Sequence, residues 1–159
     1  MSNVISQESV DGVVKQQSIA VVGVSRSETK FSRSVYDELK DKGYTVFPVN
    51  PNAERIGEDL CYPNLGAIPE RIGAVLSLVP ANQVMRVVRE ARTLDIGNVW
   101  IQQGVKTPEA IAYCHDNGIN VVFGYCILMF AEPVQSFHKV HRFFARLFGA
   151  MPKKARSTA

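Results

Sequence analysis

The chain has 159 residues, 46% of them hydrophobic and 21% charged, which suits one domain with a single core. No apolar run approaches the ~20 residues that span a bilayer, and an excess of three cations, 18 Lys and Arg over 15 Asp and Glu, is too small to mark a nucleic-acid binder. That excess is also localised: no acid follows Glu132, so residues 1–132 carry −3 and residues 133–159 carry +6.

Residues 1–17 read as a polar lead, without the basic-then-apolar pattern of a signal peptide. Residues 18–23 (SIAVVG) are a short β-branched run stopped by glycine, the pattern of a buried parallel strand. A polar loop follows. Over residues 31–42, Phe31, Val35 and Leu39 recur at every fourth position, predicting an amphipathic helix that ends at Gly43. Residues 44–49 are a second strand closed by Asn50-Pro51; Pro48 cannot donate to a ladder and predicts a short strand or a distorted end. Residues 52–72, rich in glycine and proline, read as irregular with at most one short helix.

Residues 74–79 are the third strand. Val84, Val87, Val88, Ala91 and Leu94 then repeat a helical spacing over residues 82–95, and residues 98–102 are the fourth strand. Thr107 as N-cap and Pro108 as first residue open a helix that Gly118 ends, before a fifth strand at residues 119–123. This alternation predicts an α/β domain over residues 18–132: a doubly wound (Rossmann-like) parallel five-stranded sheet, in the order 3-2-1-4-5. Residues 133–159 form a separate basic tail, in which Val134, Phe137, Val140, Phe144, Leu147 and Phe148 alternate with His138, Lys139, His141, Arg142 and Arg146. The expectation is an extra C-terminal helix packed on the sheet, rather than one lying on a membrane. Phe143 beside Phe144 widens its apolar face and suits a homodimer contact.

Ligands of such sheets sit beyond the carboxyl ends of the strands where the order reverses, here expected between the first and fourth strands. The first loop brings Gly23, the hydroxyls of Ser25, Ser27 and Thr29, and the cations Arg26 and Lys30 to a helix N-terminus. Close backbone approach, free N–H groups and positive charge together suit phosphate, although the same Ser and Thr could simply cap the helix. Ordinary NAD binding is disfavoured: Ser25 stands where a second glycine is wanted, and the second strand ends at Asn50-Pro51 without a ribose-binding acid. A P-loop motif is absent from the sequence.

The ordered segments IAVVGVSRSETKFSRSV, GYTVFPVNP, the Gly57 region, YPNL, LVPA and WIQQGV, with Cys126 after the fifth strand, resemble the small stand-alone coenzyme A-binding domain proteins. More distantly they resemble the N-terminal coenzyme A domain of succinyl-CoA synthetase α subunits. The resemblance runs from Ser18 to Cys126. It implies coenzyme A or an acyl-CoA as ligand. Gly23, Val24, Ser25, Arg26 and Lys30 would border the phosphates of the 3′-phospho-ADP half. Asn50 and Pro51 would wall the nucleotide, and Val79, Pro80 and Ala81 would edge the adenine or ribose. Gln102, Gln103 and Gly104 would lie along the pantetheine arm.

The synthetase also uses a phosphorylated histidine in a second domain and a partner subunit. His115, His138 and His141 match no such histidine, and no catalytic constellation can be assembled, so a cytoplasmic binding module without metal is expected over an enzyme. The alternative is an NAD(H)-sensing regulatory or redox module acting on a partner through the basic tail. Cys126 could meet the ligand thiol if its pKa were lowered, but an ordinary buried cysteine is the expected reading. The three cysteines, widely spaced and without a CxxC pair, give no disulfide framework.

Overall fold

The computed structural model describes residues 5–131. Ser6 accepts from the Ser9 amide to cap α1 (Gln7–Val14), and the chain then enters β1 (Ser18–Val22). There follow α2 (Phe31–Asp41), β2 (Thr45–Val49), a minimal hairpin of β3 (Arg55–Ile56) and β4 (Asp59–Leu60), and β5 (Ala74–Ser77). The last elements are α3 (Ala81–Thr93), β6 (Asn98–Gln102), α4 (Pro108–Asp116), β7 (Asn120–Tyr125) and a single 3-10 turn at Ile127–Met129.

All five long strands run parallel, in the order β2-β1-β5-β6-β7. The doubly wound α/β class is as expected, but the order is not. The third predicted strand, β5, pairs with β1 (Ile19 with Ala74, Val22 with Ser77) instead of flanking β2, so the order is 2-1-3-4-5 rather than 3-2-1-4-5. Pro48 gives the physical reason. A proline contributes no N–H and is tolerated at a sheet edge, and β2 is the edge. Among the described residues its outer side carries a one-residue bridge from Val49 to Tyr62, at which the Tyr62 amide donates to the Pro48 carbonyl and the Asn50 amide to the Tyr62 carbonyl (2.9 Å each).

Strand residues alternate between two cores. Ile19, Val21, Leu76, Trp100 and Val122 meet α1, α2 and the Ile127–Met129 turn on one face. Ala20, Val22, Val75, Val99, Ile101 and Val121 meet α3 and α4 on the other. Burying each such aliphatic side chain is worth about 1.5–3 kcal/mol, and with strands buried on both faces the near-continuous apolar runs are explained.

Three details depart from the sequence expectations. The polar lead contains α1, whose Val10 and Val13 are fully buried; the Asn120 side chain donates to the Ser9 carbonyl (2.9 Å) and fastens the helix to β7. Phe31, expected on the buried face of α2, is 57% exposed. Residues 52–72 contain the β3–β4 hairpin as well as the 3-10 turn Leu65–Ala67. The expected C-terminal helix of residues 133–159 lies outside the described residues.

Candidate functional site

The observed order moves the reversal point. The chain leaves β1 for β2 on one side, and β5 for β6 and β7 on the other, so the crevice opens between β1 and β5, not between the first and fourth predicted strands. Gly23 follows β1 at this edge of the sheet. Its φ of +96° is a left-handed conformation, and a Cβ there would lie 2.9 Å from Val79 Cγ1 and 3.1 Å from the Leu78 carbonyl carbon. Only glycine lets the loops after β1 and β5 touch in this way.

The loop from Gly23 to Lys30 is shaped by its own hydroxyls. Val24 is buried as its anchor, the Ser25 amide donates to Ser32 Oγ (3.1 Å), and the Ser27 amide donates to Ser25 Oγ (3.1 Å). The Ser27 and Thr29 hydroxyls share a bond of 2.9 Å. Lys30 then occupies the N-cap of α2 without a side-chain cap bond, and no acid stands in the first turn. The dipole of α2 is therefore offset by neither a capping side chain nor a first-turn acid, while the Arg33 amide already donates to the Lys30 carbonyl (3.0 Å). Arg26 and Lys30 are both exposed.

Beside this helix start lies a crevice of about 370 Å³, walled by Ser25, Lys30, Phe31, Ser32, Leu78, Gln102, Gln103 and Val105. Four of the residues singled out from the sequence, Ser25, Lys30, Gln102 and Gln103, thus meet in one wall. Gly23, Val24, Arg26, Asn50, Pro51, Val79, Pro80 and Gly104 are outside it. Asn50 acts as a strut: its Nδ2 donates to the Val24 carbonyl (2.9 Å) and its Oδ1 accepts from the Asn52 amide (2.8 Å). Pro51 lines a different hollow, against the β3–β4 hairpin. Val79 is buried against the α3 face, and Pro80 is exposed at the start of α3.

Gln102 is only 3% exposed, and its amide is committed on both sides: Nε2 donates to Cys126 Sγ (3.1 Å) and Oε1 accepts from the Ile127 amide (3.2 Å). The turn it holds is aimed by Gly124 (φ +80°), an extra residue that breaks the register between β6 and β7. Cys126 is 2% exposed, and burial pushes its thiol pKa up. Cys114 is pushed up to about 11 by the same cause. His115 is exposed on α4, whereas His138 and His141 lie outside the described residues. Phe31, which lines this crevice, was not singled out from the sequence because its i, i+4 spacing made it core; its position at the first residue of α2, beside the polar loop, was the contrary signal.

Among the described residues, no helix is long and apolar enough to cross a membrane. Residues 17–132 match the family described as "CoA binding domain". The chain is 36% identical over 91 residues to the ADP-forming acetate–CoA ligase II of Archaeoglobus fulgidus, a match covering 55% of this chain but only 14% of the ligase. It is 28% identical over 127 residues to the uncharacterized protein YneT of Bacillus subtilis, covering 80% of this chain and 94% of YneT. Among solved structures, a hypothetical protein from Pyrococcus horikoshii superimposes with a TM-score of 0.72 and 29% identity, over 76% of this chain and 85% of that one.

Proposed function

This chain belongs to the CoA-binding domain family, and from that membership we propose that it binds coenzyme A or an acyl-CoA without transforming it. The observation that supports the reading is the start of α2: a helix N-terminus without a capping side chain or first-turn acid, with Lys30 at its cap, the exposed Arg26 in the loop before it, and the exposed Phe31 beside an open crevice. Phosphate oxygens of the 3′-phospho-ADP half accept from the first-turn amides of α2 and from the Arg26 and Lys30 side chains. The ring of Phe31 offers a face to the nucleotide base. Gly23 and Val24 set the loop, Asn50 braces it through the Val24 carbonyl, and the exposed Pro80 supplies an apolar edge. The pantetheine arm, which carries two amides, follows Gln103 and Gly104, with Gln102 fixing the backbone beneath it.

A non-catalytic role is supported by the state of Cys126, whose thiol is buried, hydrogen-bonded and raised in pKa by burial. Such a thiol is a poor nucleophile. The three buried free cysteines support a reducing, cytoplasmic setting.

Calorimetric titration with coenzyme A, 3′-dephospho-CoA and NAD tests the reading. Coenzyme A should bind, the dephospho form roughly tenfold more weakly for the loss of one charge-assisted contact, and NAD should give no heat. Binding of NAD without binding of coenzyme A would overturn the proposal in favour of an NAD(H)-sensing module.

A further inference from the structure

Next to the phosphate-side crevice is a second, larger hollow of about 610 Å³ between the β6–α4 loop, the exposed flank of α4 and the end of β7. Val105 lines both spaces, so the two adjoin at that side chain, with Gln103 on the wall of one and Gly104 on the wall of the other. Its other walls are chemically unlike the first. Pro108, Ile111, Ala112 and Phe123 present hydrocarbon, and Lys106 and His115 stand at its exposed margin. Gly104, with φ +85° and open space where a side chain would stand, keeps the passage clear.

Thr107 supplies an independent observation. It is the N-cap of α4, the position at which a threonine ordinarily bonds its own helix, yet its side chain makes no cap bond. It is 4% exposed, lies in the wall of the hollow, and its hydroxyl finds no hydrogen-bond partner among the described residues. A buried hydroxyl without a partner is unfavourable, and a carbonyl brought in beside it would relieve that.

We infer that this hollow is an acyl subsite: it takes the hydrocarbon chain of an acyl-CoA, with the thioester carbonyl on the Thr107 side. The inference rests on the coenzyme A reading above, and it names the form of the ligand that the protein prefers. A coenzyme A thiol leaves the apolar walls wetted; a chain of several carbons covers them. Each buried methylene strengthens binding about three- to fourfold, so two or three of them account for a tenfold preference or more.

The test is a titration of the full chain with coenzyme A and with hexanoyl-CoA, repeated with Ala112→Trp and the milder Ala112→Leu. Ala112 is exposed, so both variants fold, which thermal melting checks, and their larger side chains occupy the hollow. Hexanoyl-CoA should bind about tenfold tighter than coenzyme A to the parent chain, and this advantage should fall in Ala112→Leu and vanish in Ala112→Trp with coenzyme A affinity unchanged. Equal affinity of the parent for both ligands, or an advantage that survives Ala112→Trp, overturns the inference. So does a hollow covered by a second copy, seen as a dimer lost in Ala112→Trp with no acyl preference in either protein. Absence of any coenzyme A binding would instead overturn the function proposed above.

Discussion

The amide of Gln102 spans from the sulfur of Cys126 (3.1 Å) to the backbone N–H of Ile127 (3.2 Å), so the end of β6 holds the turn that follows β7. A polar side chain this deeply buried is tolerable because both of its ends are satisfied. Gln102→Leu, which leaves the Ile127 amide without its acceptor, should lower stability by about 1–3 kcal/mol. Gln102→Glu should lower it further by placing a carboxylate beside a buried thiol. Urea unfolding monitored through Trp100 fluorescence checks both; an unchanged midpoint in either would show that the bond contributes nothing.

The same burial protects the thiols. Cys114 and Cys126 both have their pKa values raised by burial, so the reactive thiolate is scarce in the folded chain at neutral pH. Iodoacetamide at pH 8 should label them in urea at the rate of a free thiol and in buffer many times more slowly. Rapid labelling of Cys126 in the native chain would contradict the picture of an inert, structural cysteine.

Two glycines of positive φ separate conformational strain from crowding. Gly104→Ala meets nothing within 4 Å and should lose only the backbone contribution, about 1 kcal/mol. Gly23→Ala adds a contact of 2.9 Å with Val79 Cγ1 and 3.1 Å with the backbone of Leu78, and should lose about 1–3 kcal/mol while also weakening coenzyme A binding. Thermal melting with parallel titrations distinguishes them. Equal effects would mean that the touching loops can part freely.

Ser77, fully buried at the end of β5, carries a hydroxyl with no partner among the described residues. Ser77→Ala removes a desolvated polar group and almost no volume, so stability should stay unchanged or rise by up to about 1 kcal/mol. A clear loss on chemical denaturation would reveal a partner for that hydroxyl.

Asp59 ties the β3–β4 hairpin to α2. It accepts from Lys40 and from the Tyr36 hydroxyl (2.6 Å), and these bonds, that from Lys40 foremost, hold its carboxyl pKa below the ordinary 3.8. A pKa lower in the folded than in the unfolded chain stabilises the fold at pH above about 4, and the benefit disappears as pH falls through the folded value. Since the group is partly solvated, the contribution is about 1 kcal/mol or less. Asp59→Asn should therefore be less stable than the parent at pH 7 and converge with it near pH 2. A constant gap across that range would assign the difference to packing alone.

Fold class was legible because the strand runs and helix spacings are local signals. Residues 98–102 were delimited as observed, and Thr107-Pro108 opens α4 as expected. Strand order was less so, since pairing partners are decided by long-range packing. Even there Pro48 carried the answer, as a proline that distorts an interior strand is at home on an edge. The helix α1 was passed over because its polar residues and Gly12 dilute a pattern whose apolar part reduces to Val10, Val13 and Val14. Of the residues singled out by loop chemistry, Ser25, Lys30, Gln102 and Gln103 line the crevice beside α2, but spacing could not reveal that Gln102 faces inward or that Phe31 faces out. Those orientations depend on the Gly124 bulge and on where α2 begins relative to the sheet, neither of which a periodicity records.

The bond from Asn120 to the carbonyl of Ser9 bridges 111 positions of sequence. α1 therefore gains its fastening to β7 only once Asn120 has been made, although the Tyr44 hydroxyl reaches the Val14 carbonyl at its C-terminal end earlier in the chain (2.6 Å). At about 5–20 residues per second, that interval is roughly 6–22 s. During it α1, with 8 residues, is shorter than the ~12–15 needed for a stable isolated helix, so it lacks its contact with β7 until that strand is made. Docking of α1 is thus gated by β7, and a chain cut short before Asn120 would leave that helix without its anchor.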